Sequence, residues 1–184
     1  MITLDEYLEI QHKPSPISKK DLDSLLEYNE NLVTNYPFLK PRDIFGEVVD
    51  DKLLDGRTFT ELDSLPDGWR KVFGEAICED IKQCLIDNNC LNDYRILEIK
   101  EKYGTLRWYD NLLITDPIIR KYEKLSSKIC INCGKEAKWV TKGWISFICD
   151  DCADAYINNY NSYRSIDGDY KKEDLLTEIK NGKE

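Results

Sequence analysis

Residues 130–152 read CINCGKEAKWVTKGWISFICDDC and contain two Cys-x2-Cys pairs separated by fifteen residues. Two matched pairs of thiolates suit tetrahedral coordination of zinc by sulfur, and neither a redox dithiol nor two disulfides accounts for both pairs in a cytosolic chain. Four cysteines leave no coordination position open for water, so the ion would be structural. The stretch therefore predicts a structural Zn²⁺ held by Cys130, Cys133, Cys149 and Cys152.

The residues between the cysteine pairs predict how the chain folds around this ion. The segments AKWVT and WISFI flank Lys142 and Gly143, a pattern typical of a hairpin turn. The second cysteine pair opens a segment with helical spacing of apolar residues. We therefore expect a zinc ribbon and a following helix over residues 128–164, and a polar tail over residues 165–184.

Helices are expected to dominate the chain before the cysteines. A capping box at Thr3 predicts a helix over 4–12, and Ser18 can open a second helix. The strongest signal is an apolar stripe at helical spacing over residues 69–89. This stripe consists of Trp69, Val72, Phe73, Ala76, Ile77, Ile81, Cys84 and Leu85.

The stretch KEKYGTLRWYD, residues 100–110, lies within a predicted β-hairpin. If residues 101–104 form the turn, Lys100 pairs with Thr105 and Glu98 forms a cross-strand ion pair with Arg107. The core-facing side chains are then Leu97, Ile99, Leu106 and Trp108. The charged and aromatic side chains that remain exposed, together with one tryptophan of the ribbon, are candidate ligand-binding residues: Lys100, Lys102, Tyr103, Arg107, Tyr109 and Trp144.

Together these signals predict an α+β fold in which helices pack on a small antiparallel sheet, with a C-terminal four-cysteine zinc ribbon. The predicted domains are a mainly helical α+β domain over 1–127, with its hairpin at 94–109, and then the ribbon.

Charge is distributed unevenly along the chain. The net charge is −9 overall, but it is −10 over residues 1–93, +5 over 94–145 and −4 over 146–184. The basic segment could contact the phosphate of a nucleotide, whereas the acidic N-terminal half suits a protein partner and disfavours non-specific nucleic-acid binding. The chain has no apolar run of membrane-helix length and no basic signal peptide start, which predicts a cytoplasmic protein that does not enter a membrane.

Catalytic motifs are weak in this sequence. The only histidine, His12, is expected in the N-terminal helix, which removes histidine-based triads and zinc hydrolases from consideration. Asp67, Glu98 and Lys100 have the residue types of PD-(D/E)xK nucleases, but a long helix separates the aspartate from the other two. The sequence thus favours a non-enzymatic protein and leaves a metal-dependent nuclease as a minor alternative.

Four segments in this order resemble a family of uncharacterised proteins from phages and prophages of Gram-positive bacteria. They are LPDGWRKVFGE (65–75), IKEKYGTLRWYDN (99–111), KYEKLSSKICINCGK (121–135) and GWISFICDDC (143–152). The resemblance runs from about Tyr36 to Cys152 and implies a mobile-element origin, zinc at the four cysteines and an accessory role in a bacterial host.

By analogy with small accessory phage proteins, we expect a non-enzymatic protein that binds and neutralises a host or anti-phage defence component. The target would be either a protein or a nucleotide signal that it sequesters. The alternative is a zinc-ribbon nucleic-acid-binding protein, whose affinity would fall steeply with salt.

Overall fold

A computed structural model of the chain describes residues 1–14, 16–43, 45–49, 59–141, 144–157 and 163–165. The helices are α1 (Leu4–Gln11), α2 (Lys19–Asn35), α3 (Asp67–Trp69), α4 (Glu75–Asp87), α5 (Asp116–Ser126) and α6 (Asp150–Ile157). The strands are β1 (Ile96–Lys102), β2 (Thr105–Asp110), β3 (Trp139–Thr141), β4 (Phe147–Ile148) and β5 (Tyr163–Ser165). The α+β fold predicted from the sequence is confirmed.

The first two helices begin at the predicted caps. Thr3 Oγ1 accepts from the Glu6 backbone N–H at 3.2 Å, and Glu6 Oε2 accepts from the Thr3 N–H at 2.7 Å, which forms the complete capping box. Ser18 Oγ likewise accepts from the Asp21 N–H at 3.1 Å. Both helices pack on the core of the body, residues 1–126.

A π-helical turn, Arg70–Gly74, joins α3 to α4 and changes which residues face the core. Because a π turn contains an additional residue, the buried face shifts after it. Val72, which the predicted stripe places inside, is exposed, and Cys78 is fully buried while Cys84 is partly exposed. The other large apolar residues of the stripe are buried as predicted: Trp69, Phe73, Ile77, Ile81 and Leu85.

The β1–β2 hairpin has a tighter turn than the sequence predicts. Lys102 pairs with Thr105, so only Tyr103 and Gly104 form the turn, and both have positive φ (53° and 72°) as a type I′ turn requires. The register is therefore two residues away from the predicted one. A shift by two residues preserves the faces, and Ile99 remains in the core with its partner across the strands.

A β-bulge between Ile96 and Glu98 overturns one assignment in the hairpin. It turns Leu97 outward, with 67% of its surface exposed, and buries Ile96 instead. The predicted Glu98–Arg107 ion pair is also wrong. Glu98 pairs with Lys100 of its own strand, and Arg107 pairs with a glutamate of α5.

The ribbon forms a second sheet of order β4-β3-β5. The predicted hairpin is present, with Trp139 opposite Ile148, while its turn residues 142 and 143 lie outside the described residues. The third strand, β5, was not predicted, and it crosses the boundary expected between the ribbon and the polar tail. Beyond Ser165 that tail lies outside the described residues. No helix in the described part of the chain could span a membrane.

Candidate functional site

The four predicted ligands come together at one end of the ribbon. The Sγ atoms of Cys130, Cys133, Cys149 and Cys152 all lie within 4.8 Å of one another, and the Cys133 and Cys149 sulfurs are 3.4 Å apart. Tetrahedral zinc with Zn–S bonds of about 2.3 Å requires sulfurs roughly 3.8 Å apart, so the cluster has the dimensions of a metal centre. Cys130 and Cys149 are buried, and the other two are partly exposed.

Backbone N–H groups around the first cysteine pair are directed at sulfur. Burial by itself would raise the pKa of the Cys130 thiol, but N–H groups of Cys133, Cys149 and Asn132 lower it overall. Burial raises the pKa of Cys133 and of Cys152. Four thiolates at this spacing repel one another, so a bound cation is what would hold all four in the ionised form.

Two lysines lie beside the cysteine cluster and are fixed by the aspartates of α6. Lys138 Nζ is 2.7 Å from Asp150, Trp139 Nε1 donates to the same carboxylate at 2.8 Å, and Lys135 pairs with Asp151. Because each ammonium group is already paired with a carboxylate, these salt bridges are locally neutral and leave the charge of the thiolates unchanged. Their effect is to hold the start of α6, and with it Cys152, against the strand side of the ribbon.

The cysteine end of the ribbon is docked on α3. The Gly68 N–H donates to Ile131 O at 2.9 Å, and the indole N–H of Trp69 donates to Ile129 O at 3.4 Å. A Cβ at Gly68 would collide with the Cys130 and Ile131 carbonyl groups, so only glycine permits this approach. The cysteine pair is thus packed directly against the body.

A second contact joins the β1–β2 turn to the ribbon sheet. A Cβ at Gly104 would lie 2.8 Å from the Phe147 ring and 3.1 Å from Ile145, so the bare backbone of the turn rests on these two side chains. Trp144, the neighbour of Ile145, therefore lies near the hairpin turn. The Thr141 hydroxyl accepts from the Ser146 N–H at 2.8 Å and donates to Trp144 O, which fixes this corner of the ribbon.

We use the name aromatic–lysine face for the exposed candidate residues of the hairpin together with the exposed tryptophan of the ribbon corner: Lys100, Lys102, Tyr103, Tyr109 and Trp144. The rings are exposed to 49%, 43% and 80% respectively, which is high for side chains of this size. Lys100 Nζ lies 5.5 Å from the Tyr109 ring centroid, and Lys102 Nζ lies 5.6 Å from that of Tyr103. The structure places these residues on the hairpin and the adjacent ribbon corner.

The cations of this region are already partly neutralised. Lys100 pairs with Glu98 at 2.5 Å, and Arg107, which is only partly exposed, pairs with Glu123 at 3.2 Å. Arg107 also donates to Leu106 O at 2.7 Å, so its guanidinium serves the packing of α5 on β2. The aromatic–lysine face is accordingly weaker as a phosphate site than the sequence predicts, and Arg107 lies outside it.

The residues of the nuclease alternative do not assemble. Glu98 and Lys100 pair along β1, whereas Asp67 is the first residue of α3 and its carboxylate lies 3.6 Å from Nε2 of His12. Within the described ranges, the cysteines are the group of side chains that could share a metal ion. The geometry gives a Mg²⁺-dependent nuclease no support.

Sequence reasoning missed the contacts that join the ribbon to the body. Gly68 and Gly104 carry no chemical signal, because a glycine that permits a close approach cannot be distinguished in the sequence from any turn glycine until its neighbour is known.

The chain matches no protein-family model, no curated protein and no solved structure at a significant level.

Proposed function

We propose that the protein is a non-enzymatic zinc protein that captures a protein partner through its aromatic–lysine face. The observation that carries this proposal is the exposure of Tyr103, Tyr109 and Trp144 on a region whose backbone is fixed by strand pairing and by the contact between Gly104 and the ribbon. Exposed aromatic side chains on rigid elements are typical centres of protein–protein interfaces.

A protein partner is favoured over a nucleic acid by the charges of this face. Of its two lysines, one is ion-paired, and Arg107 is occupied by α5, so few cations remain to neutralise phosphates. The chain as a whole carries a net charge of −9, which repels a polyanion. Aromatic contact with a protein surface requires neither unpaired cations nor a positive net charge.

The proposed setting is the cytoplasm of a bacterium that carries a phage or prophage, as the resemblance of the sequence motifs implies. The partner would be a host or anti-phage defence protein that is neutralised by being bound. In this proposal zinc has no catalytic role, because four cysteine ligands fill its coordination sphere. It holds the ribbon corner that carries Trp144.

Zinc binding is tested by metal analysis of the purified protein. We expect about one equivalent of zinc per chain, released when a mercurial titrates the thiols. Less than half an equivalent, or another metal in stoichiometric amount, contradicts the proposal. A Cys133→Ser variant is expected to lose the metal, whereas Cys90→Ser, outside the cluster, should retain it.

Partner capture is tested by affinity purification from phage-infected host cells with the wild type and two variants. Trp144→Ala should lose the captured protein while retaining zinc. Leu113→Ala, which removes an equally exposed apolar side chain (85% exposed) from another surface, should retain it. Capture that is identical for both variants contradicts the proposed face, and salt-sensitive capture of DNA or RNA would indicate the nucleic-acid alternative instead.

A further inference from the structure

A cavity of about 320 Å³ opens at the far end of the hairpin from its turn. Its described walls come from residues 42, 43, 45 and 46 and from residues 95–97 at the start of the hairpin. Seven residues of strand separate this end from Tyr103, which corresponds to about 20 Å. The volume is at the lower limit of the range for small-molecule sites. The cavity is thus distinct from the aromatic–lysine face.

Two guanidinium groups meet at this cavity. Arg42 Nη1 donates to Gly46 O at 2.7 Å, and the Arg95 side chain lies directly against the same glycine. In the described part of the chain, the Arg95 guanidinium forms no hydrogen bond and no ion pair, although its backbone is held by Asn111. Arg95 therefore presents a full set of donors to whatever occupies the cavity.

The one carboxylate in the described wall is already occupied by the loop itself. Asp43 Oδ1 accepts from the Phe45 and Glu47 N–H groups, each at 2.9 Å, and Arg42 bridges across to Val48. These bonds hold the loop in a closed turn. The local charge is consequently two arginines against one internally bonded aspartate, on a body that is otherwise acidic.

Two apolar residues of the remaining walls are unusually exposed. Phe45 is 79% exposed, and Leu97, which the β-bulge turns outward, is 67% exposed. Both are costly to leave in water, and a planar ring placed against them would cover them. Bulges that redirect one side chain are common beside binding sites.

From this arrangement we infer that the cavity binds a mononucleotide-type ligand, with its phosphate on Arg95 and Arg42 and its base against Phe45. Guanidinium groups bind phosphate oxygens in a bidentate geometry, and an exposed phenylalanine stacks on any base without selecting its identity. The site is independent of the proposed protein capture, because it uses none of the residues of the aromatic–lysine face.

Isothermal titration calorimetry of the zinc-loaded full chain tests the inference with AMP as the probe. AMP should bind with saturable heat below millimolar concentration. Arg95→Gln should weaken AMP at least tenfold, and Phe45→Ala several-fold, because each removes one half of the recognition. Arg120→Gln, which removes an exposed guanidinium from α5, is the matched control and should leave the affinity unchanged.

Inorganic phosphate and adenosine separate the two halves of the ligand, and both should bind at least tenfold more weakly than AMP. A 5′-phosphorylated tetranucleotide identifies the source: binding tighter than AMP and lost in Arg95→Gln assigns the site to a strand end, and weaker binding assigns it to free nucleotides. The inference is overturned if AMP gives no saturable heat at about 1 mM, if phosphate alone binds as tightly, or if Arg95→Gln and Arg120→Gln behave alike. None of these results bears on protein capture by Trp144.

Discussion

The body of the molecule and its ribbon are stabilised by different means. Among the residues that the structure describes, the body buries one continuous cluster of 24 apolar side chains, whereas the ribbon buries one cluster of four and one of three. Two of the four are Cys130 and Cys149, so half of the larger ribbon cluster consists of proposed metal ligands. A core of this size cannot fold a segment by itself. We therefore expect the body to be held by packing and the ribbon by its metal ligands.

Removal of the metal is expected to have the largest effect. Structural zinc contributes about 10–16 kcal/mol to the folding of small domains, far more than the ribbon core can replace. Chelation or Cys149→Ser should therefore abolish amide-exchange protection in β3 and β4, while α2 and the second half of α4 stay protected.

A thiol outside the cluster provides the control for this experiment. Cys84→Ser, which changes a thiol outside the cluster, should leave both regions protected. When the metal is removed, some loss of amide-exchange protection at Gly68 and Trp69 is expected, because these residues donate hydrogen bonds to the ribbon. Loss of protection throughout α2 would show that the two parts unfold as one unit, which would contradict separate stabilisation of the body and the ribbon.

The next largest effect is expected in the body, where a buried ion pair joins Arg70 to Asp63. Arg70 is 2% exposed, the Asp63 side chain is 5% exposed, and the carboxylate also accepts from the Tyr7 hydroxyl at 3.0 Å. Burial, followed by the charge of Asp63, raises the pKa of Tyr7 to about 12. Asp63→Asn leaves the guanidinium buried without a counter-charge and should lower the free energy of unfolding by about 3–5 kcal/mol.

Urea unfolding followed by far-UV circular dichroism measures this change. Asp116→Asn breaks the exposed pair with Arg120 and should alter stability by less than about 0.5 kcal/mol. Zinc content should not change in either variant. An Asp63→Asn protein as stable as the wild type would mean that the ion pair does not help to hold the body together.

A smaller effect is expected where the two parts meet at Gly104. Alanine there would adopt a left-handed conformation at a cost of about 1–2 kcal/mol, and its Cβ would press on Phe147. Gly104→Ala should lower the stability by about 2–3 kcal/mol and reduce protection in β4 before it affects α2. Lys102→Ala, adjacent but exposed, should have almost no effect. Equal losses in β4 and α2 would count against a local contact.

Periodicity and ligand spacing were sufficient to predict the helices, the hairpin and the cysteine cluster from the sequence. The helix cap at Thr3 depends on contacts within a few residues, so the local sequence specifies it. Two Cys-x2-Cys pairs at this spacing are commonly a four-sulfur metal site, so the ligand chemistry specifies the cluster. The errors have a different origin. Neither the π turn at Arg70 nor the bulge beside Leu97 has a local signature, because each is set by what packs on it from elsewhere in the chain.

The sequence predicted which residue types the candidate site contains, but not which of their side chains are free to contact a ligand. Lys100, Lys102 and both tyrosines lie on the exposed side as expected, but Arg107 is drawn away by Glu123, sixteen residues further along the chain. The arginine pair at residues 42 and 95 was not predicted, since a loop and a strand that are distant in the sequence supply it. Such pairings depend on tertiary geometry that a single sequence does not contain.

The smallest change in stability, and one of opposite sign, is expected at Tyr103. Tyr103 is the first residue of a two-residue turn, has φ of 53° and is followed by Gly104. Asparagine is the preferred residue at this position, and tyrosine is strained there. Tyr103→Asn relieves that strain but loses the contact with Lys102, worth about 0.5–1 kcal/mol at most. The net change should be a gain of about 0–1 kcal/mol, measured by urea unfolding.

The same variant should nevertheless weaken partner capture. A strained tyrosine with half its surface exposed does little for folding, and in the proposed function its ring contacts the partner. Tyr103→Phe, which retains the ring, is the matched control and should preserve capture. If Tyr103→Asn instead destabilises the chain by more than about 1 kcal/mol, the ring belongs to the packing of the hairpin. The aromatic–lysine face would then rest on Tyr109 and Trp144 alone.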